Sequence, residues 1–245
     1  MRIITFLSDF GNPDWFAAAV KGEILKIVPD VRIVDITHNL DPYNIRGAAF
    51  LLYAVYDNFP RGTVHLVVVD PGVGGVRKPL IVESSGHLFV GPDNGIFSYF
   101  YNPDSKVHAI TVGTVASATF HARDIFGPAA ARLATGVTVQ ALGKQIDTYE
   151  QFKVPQAKQV GDRLCGEIVY IDHFGNCITN IPVRYRVRHM SVSHHMINVV
   201  QSYGDGAVGQ PICVRGSVGY YEIACYKGDA QALLGITVGT SVEAI

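Results

Sequence analysis

The sequence predicts an α/β fold: an amino-terminal three-layer domain on a mostly parallel sheet, then a smaller strand-rich domain that is a barrel or a sandwich. Three observations predict it. Strand-like and helix-like segments alternate through the first third of the 245 residues, in an order that argues for parallel strands and right-handed crossovers. The run Val64 to Val69 is β-branched and almost wholly apolar, as expected of a strand buried from both sides. After about residue 148 the texture changes to short β-like runs at the spacing of small barrels and sandwiches.

Ile3 to Leu7 reads as the first strand. Phe16, Val20, Ile24 and Ile27 then recur at helical spacing until Pro29 stops the run. Arg32 to Ile36 reads as the second strand, followed by a helix from about Ile45 to Asn58 closed by Pro60-Arg61-Gly62. Val64 to Val69 is the third strand. Leu80 to Glu83 and Leu88 to Val90, joined through Ser84-Ser85-Gly86, read as a hairpin, and Asp124 is placed to cap a helix from Ile125 to Ala134. The expected division is an α/β domain over 1–148, a polar, irregular linker over 149–161 and a strand-rich domain over 162–245. Its strands are Glu167 to Ile171, Cys177 to Ile181, Ile197 to Val200, Ile212 to Val214, Tyr221 to Ala224 and Ser241 to Ala244.

Composition excludes several classes. The 20 basic and 21 acidic residues nearly balance and form no basic run, which argues against a nucleic-acid partner. No apolar run is long enough to cross a bilayer and no leader-like segment opens the chain, so the expectation is a soluble cytoplasmic protein. Cys165, Cys177, Cys213 and Cys225 lack C-x-x-C spacing; free thiols are expected and no metal is signalled.

The stretch Val69-Asp70-Pro71-Gly72-Val73-Gly74-Gly75-Val76-Arg77 carries the strongest chemical signal. Asp70 emerges at the carboxyl end of a central strand, where open α/β sheets bind ligands. The glycines let the chain turn sharply enough to fold Arg77 back toward Asp70. The loop matches neither a dinucleotide fingerprint nor a P-loop, and an acid beside cradling amides favours a cationic or neutral ligand over phosphate. A tight turn with a surface ion pair remains the alternative.

Ser8-Asp9-Phe10-Gly11 follows the first strand as Asp70 follows the third, so Asp9 faces the same crevice and suits ribose hydroxyls, or caps the next helix. Phe89-Val90-Gly91-Pro92-Asp93-Asn94-Gly95 reads first as a structural turn. Thr119-Phe120-His121-Ala122-Arg123-Asp124 gathers an imidazole, a guanidinium and a carboxylate; as a lone segment it reads as packing, an ion pair and a helix cap. Asp35 and His38 are read as structural, and His194-His195 as solvated surface. Tyr170-Ile171-Asp172-His173-Phe174-Gly175-Asn176 combines an acid, an aromatic face and an amide, a set able to hold an ammonium group and an adenine edge, or else simply a strand and its glycine turn. Tyr203 and Ser217 are weaker signals beside their glycines.

In order and spacing, these segments resemble the S-adenosyl-L-methionine (SAM) hydroxide adenosyltransferases, once a domain of unknown function and relatives of the fluorinase and chlorinase. The matching runs are SDFG at 8–11, IVDITH at 33–38, GTVHLVVVDPGVGG at 62–75 with Arg77, FVGPDNG at 89–95, TFHARDIFGPAAARLA at 119–134 and IDHFGNCITNI at 171–181. The resemblance implies an α/β domain, a carboxyl-terminal β-barrel, and a homotrimer whose sites lie between one subunit's first domain and its neighbour's second. It implies hydrolysis of SAM to adenosine and L-methionine, with SAM as substrate and no cofactor or metal.

Motif by motif, the resemblance puts Asp70, Arg77 and His121 at the water-activating positions, Asp9 at the ribose hydroxyls and Tyr43 beside the sugar. It puts Asp172 at the methionine ammonium, Phe174 and Asn176 at the adenine, Tyr203 at a stacking position and Ser217 at the methionine carboxylate. Ser8 stands where many relatives have threonine and Ala122 where many have glycine; neither change removes a reacting group. The related halogenases lack the acid at Asp70, which would repel a halide yet can take a proton from water. Hydrolysis is therefore favoured over halide transfer; a SAM-dependent halogenase and a silent SAM or adenosine binder are the alternatives, and whether Asp70 or His121 takes the proton stays open.

Overall fold

In the computed structural model, which describes residues 2–113 and 116–245, the apolar runs become strands that pack into hydrophobic cores within two separate units. One unit covers residues 1–153 and the other 154–245. In the first, β1 (Ile3–Ser8), β2 (Arg32–Thr37) and β3 (Val64–Val68) are linked through α1 (Phe16–Ile27) and α2 (Ile45–Val55), the latter ending in a 3-10 turn at Tyr56–Asn58. Asn44 starts α2 by accepting the Gly47 amide on its side chain. Then follow β4 (Pro79–Ser84), β5 (His87–Pro92), β6 (Lys106–Ile110), a π-helical turn (Ala122–Phe126), α3 (Gly127–Ala134), α4 (Val139–Leu142) and β7 (Gly143–Gln145).

The sheet order is β2-β1-β3-β5-β4-β6-β7. Its first four strands run parallel and the others antiparallel to their neighbours. Alternation of side chains sends Ile4, Phe6, Val64 and Leu66 to one face, under α1 and α3. It sends Leu7, Val67 and Val69 to the other, under α2. This is the expected three-layer α/β domain. The hairpin also forms, but it enters by its second strand: β5 pairs with β3 and β4 lies outside it. The carboxyl ends of β1, β3 and β5 thus sit side by side, and the loops after Ser8, Val68 and Pro92 open on one edge.

Two local expectations are corrected. Asp124 does not cap the helix, because winding begins earlier and the π-helical turn at Ala122–Phe126 runs straight into α3 with no side-chain cap. The Asp124 carboxylate accepts instead from Arg123 and from the Ser117 amide. Within the stretch read as irregular, Lys158–Val160 forms a short edge strand.

Thr5, His65 and His87 form a buried polar chain beneath α2. Thr5 Oγ1 lies 2.8 Å from His65 Nδ1, and His65 Nε2 lies 3.1 Å from His87 Nδ1. Burial, and secondarily His87, pushes the His65 pKa down to about 3; burial also lowers that of His87. Both rings are therefore neutral in the fold, while an unfolded imidazole titrates near 6.5. Below that pH the unfolded chain binds more protons, so stability is full above it and falls as pH drops toward 3. Thermal denaturation should show the melting temperature declining on acidification, and His65→Gln should flatten the slope between about pH 6 and about pH 4. An equal slope in the variant would remove His65 as its cause.

The second unit contains β8 (Lys158–Val160), β9 (Arg163–Ile171), β10 (Cys177–Pro182), β11 (His189–Val192), β12 (His195–Asn198), β13 (Pro211–Arg215), β14 (Tyr220–Cys225), α5 (Ala230–Leu234) and β15 (Ser241–Ala244). Its sheet runs β12-β11-β15-β9-β10-β14-β13, with β8 on β9. A bridge between Val199 and Cys213 joins the two ends, and the Val200 amide donates to the Cys213 carbonyl. The sheet thereby closes nearly to a barrel rather than splitting into a sandwich. Ile168, Met190, Tyr221, Ile223 and Val242 fill it. His194, in the β11–β12 turn, and His195, at the start of β12, are exposed. All four cysteines are free. Among the described residues no helix is long and apolar enough to cross a membrane, and no group of three or more His, Cys, Asp or Glu could hold a metal.

Candidate active site

Asp70 leaves β3 on the α1 and α3 side of the sheet, at the edge where the parallel strands end. The loop returns Arg77 onto it: Arg77 Nε donates to Asp70 Oδ1 at 2.9 Å and Nη2 to Oδ2. The pair is enclosed, with side-chain exposures of 10% for Arg77 and 6% for Asp70, so it is not the exposed ion pair of the alternative reading. The guanidinium also lies 5.2 Å from the centre of the Phe126 ring.

The loop holds this shape through Gly74, whose φ is +76°. A Cβ there would stand under 3.0 Å from the Ala118 carbonyl oxygen, so only glycine lets the loop lie against the segment that leads to His121. Through that contact His121, 44 residues beyond Arg77, comes to 2.7 Å between its Nδ1 and Arg77 Nη2. The structure thus joins Asp70, Arg77 and His121 in one cluster.

The same contact assigns the histidine's tautomer. A guanidinium has no acceptor, so Nδ1 must accept and the proton sits on Nε2. Burial and then Arg77 lower the His121 pKa, outweighing Asp70 and Asp124, which raise it. A neutral imidazole presenting Nε2–H follows. Arg123 and Asp124 pair with each other instead of joining the cluster.

A cavity of about 340 Å³ opens beside the cluster and is lined by Asp70, His121, Asp9, Tyr43, Phe16 and Phe120 among others. Asp9 Oδ2 accepts the Tyr43 amide at 2.9 Å. Tyr43 is 71% exposed and holds φ at 68°, a conformation rare for an aromatic residue. Behind them Ser8 Oγ meets His38 Nδ1 at 2.7 Å, His38 Nε2 stands 3.2 Å from Asp35, and the Gly11 amide donates to the His38 carbonyl. His38, read from sequence as structural, ties down the Asp9 loop.

In the barrel unit a separate cavity of about 500 Å³ gathers Asp172, Phe174, Asn176 and Tyr203. Asp172 organises its own turn: Oδ1 accepts the Phe174 and Asn176 amides and Oδ2 the Asn176 side chain. Tyr203 donates its hydroxyl to Glu222 at 2.8 Å. Ser217 does not line this cavity; it is exposed on the β13–β14 turn. Sequence reasoning missed Phe16 and Phe120 in the first cavity and Tyr226 and Lys227 in the second. The aromatic repetition Phe10, Trp15, Phe16, Phe120 and the Lys227-Gly228 turn after β14 were the available signals. A larger cavity of about 690 Å³ at the Ser85-Gly86 turn contains none of the candidate residues.

This pairing of an α/β unit with a β-barrel unit defines a class already seen in crystals. A crystal structure of an uncharacterized conserved protein from Thermotoga maritima matches with a TM-score of 0.91 at 32% identity, covering 98% of this chain and 99% of that one. The models of the SAM hydroxide adenosyltransferase N-terminal and C-terminal domains match residues 4–143 and 166–243, and the chain belongs to that family. A relative from Thermus thermophilus named (R)-S-adenosyl-L-methionine hydrolase is 34% identical over 99% of both chains. A fluorinase from an Actinoplanes species is 25% identical, covering 96% of this chain and 97% of its own.

Proposed function

We propose that the protein hydrolyses SAM to adenosine and L-methionine by in-line attack of water on ribose carbon 5′. The observation that carries this reading is the joining of Asp70, Arg77 and His121 beside the cavity that Asp9 and Tyr43 share. The new bond runs from the water oxygen to carbon 5′, the carbon–sulfur bond breaks, and sulfur leaves with the electron pair as a neutral thioether. The leaving group needs no proton, so the protein has only to place and polarise the water. His121, with its proton on Nε2, is a donor that fixes the water's orientation. Asp70 is then the acceptor. A carboxylate is a weak base, but the attacking water becomes strongly acidic as its oxygen bonds to carbon, so a weak base suffices late in the step.

Acids at Asp9, Asp70 and Asp172 suit a substrate bearing sulfonium and ammonium charges. In this reading Tyr43 packs near the sugar, Phe174 and Asn176 meet the adenine, Tyr203 stacks, and Ser217 contacts the methionine carboxylate. No cofactor takes part. The reading extends, on the family resemblance, to a cytoplasmic homotrimer with sites at subunit interfaces, which light scattering on the purified protein tests.

The 25% identity to a fluorinase makes halogenation the competing chemistry. A carboxylate about 4 Å from a halide opposes it by about 4 kcal/mol at an effective dielectric near 20, before compensation by Arg77, whereas it attracts a water proton. Incubation with SAM in water enriched in oxygen-18 should give adenosine labelled at the 5′ oxygen, at a rate indifferent to chloride. Unlabelled adenosine, or a chloride-dependent 5′-chloro product, would overturn the proposal.

A further inference from the structure

The Pro92-Asp93-Asn94-Gly95 turn after β5 has no reacting group, yet it is bonded to both ends of the loop that carries Asp70 and Arg77. At the entry, Asn94 Nδ2 donates to the Val69 carbonyl at 2.8 Å. At the exit, the Asp93 amide donates to the Lys78 carbonyl at 2.9 Å. The Asn94 amide cannot turn over freely, because its Oδ1 accepts the Ile96 amide at 3.2 Å. The turn is itself anchored: Asp93, 7% exposed, accepts the Glu150 amide at 2.7 Å, and Lys78 Nζ reaches the Thr148 carbonyl at 3.0 Å.

Close approach of β5 to β3 makes these bonds geometrically available. A Cβ on Gly91 would stand under 3.0 Å from the Val67 carbonyl oxygen, so glycine at that position lets the two backbones meet just before the turn. The Val69 carbonyl belongs to the peptide that immediately precedes Asp70. Whatever fixes that peptide fixes the direction in which the Asp70 side chain leaves the sheet.

We propose that Asn94 is a positioning residue for the reaction: its side-chain donor locks the Val69–Asp70 peptide and so sets where the Asp70 carboxylate and its Arg77 partner stand. The inference rests on the hydrolysis reading. It predicts a loss in the chemical step and not in substrate capture, because Asn94 touches the loop and not the cavity that Asp9 and Tyr43 line. Misplacement of a reacting group by about 1 Å lowers a rate about 100-fold.

Asn94→Asp isolates the donor, since it keeps the shape and the acceptor for Ile96 but has no Nδ2 hydrogen; Asn94→Ala removes both and carries the test if the aspartate variant does not fold. Calorimetric titration with SAM reads affinity and, through stoichiometry, the fraction of competent sites; kcat is then expressed per competent site. The expected result is a kcat per site about 10- to 100-fold lower with SAM affinity within about threefold of wild type. A wild-type kcat per site in a folded variant, or a loss confined to KM, would overturn the inference. Absence of SAM turnover in the wild-type protein would instead overturn the hydrolysis reading on which it stands.

Discussion

Asp70→Asn should lower kcat for SAM hydrolysis by about 10²- to 10⁴-fold, the range typical of removing a positioned acid–base group. Asparagine keeps the outline of the side chain but has no charge to receive the proton, and its amide would set a donor against the guanidinium that now donates to both carboxylate oxygens. SAM binding should persist, because Asp9 and Tyr43, which line the same cavity, are untouched. Chromatography of adenosine formed, set beside calorimetric SAM affinity, separates the two quantities. A variant with wild-type turnover would remove Asp70 from the mechanism and hand the proton to a group whose accepting nitrogen is already occupied by Arg77.

The second large effect is expected from a residue with no chemistry of its own. Gly74→Ala places a methyl group against the Ala118 carbonyl oxygen and asks an L-residue to hold φ near +76°. The left-handed conformation costs about 1–2 kcal/mol for a residue with a Cβ, and the backbone clash adds to it. The loop must therefore lift from the 118 segment, carrying Arg77 away from His121. A fall in kcat of about 100-fold follows from a displacement of about 1 Å, with the fold retained because the loop lies outside both cores. Gly22→Ala is the control: it sits within α1 with open space around its Cβ position, and should leave activity unchanged while stabilising by about 0.5–1 kcal/mol. Equal activity in the Gly74 and Gly22 variants would mean that the loop contact does not hold the cluster together.

Much of the fold was legible because its signals are local. The apolar runs at Ile3–Ser8 and Val64–Val68 and the helical spacing from Phe16 to Ile27 each report the burial of their own side chains. The place of Asp70 followed from where its strand had to end. Less legible was the insertion of β5 between β3 and β4, since hairpin patterning says which strands pair but not which of them meets the rest of the sheet. The capping role expected of Asp124 failed for a similar reason: a π-helical turn started by residues upstream had already passed that point. His38 looked structural, and its ties to Ser8 and to the Gly11 amide, 30 and 27 positions away, carry no trace in the pattern around it.

Residue chemistry was thus determined by the chain alone: an acid at a central strand's end, glycines that permit a tight return, an arginine to follow and a histidine ahead of a helix. Only tertiary structure decided that these groups meet and which nitrogen of His121 bears the proton. Periodicity and turn chemistry act over a few neighbouring residues, whereas the contact between Arg77 and His121 spans 44 and exists because two loops pack together at Gly74.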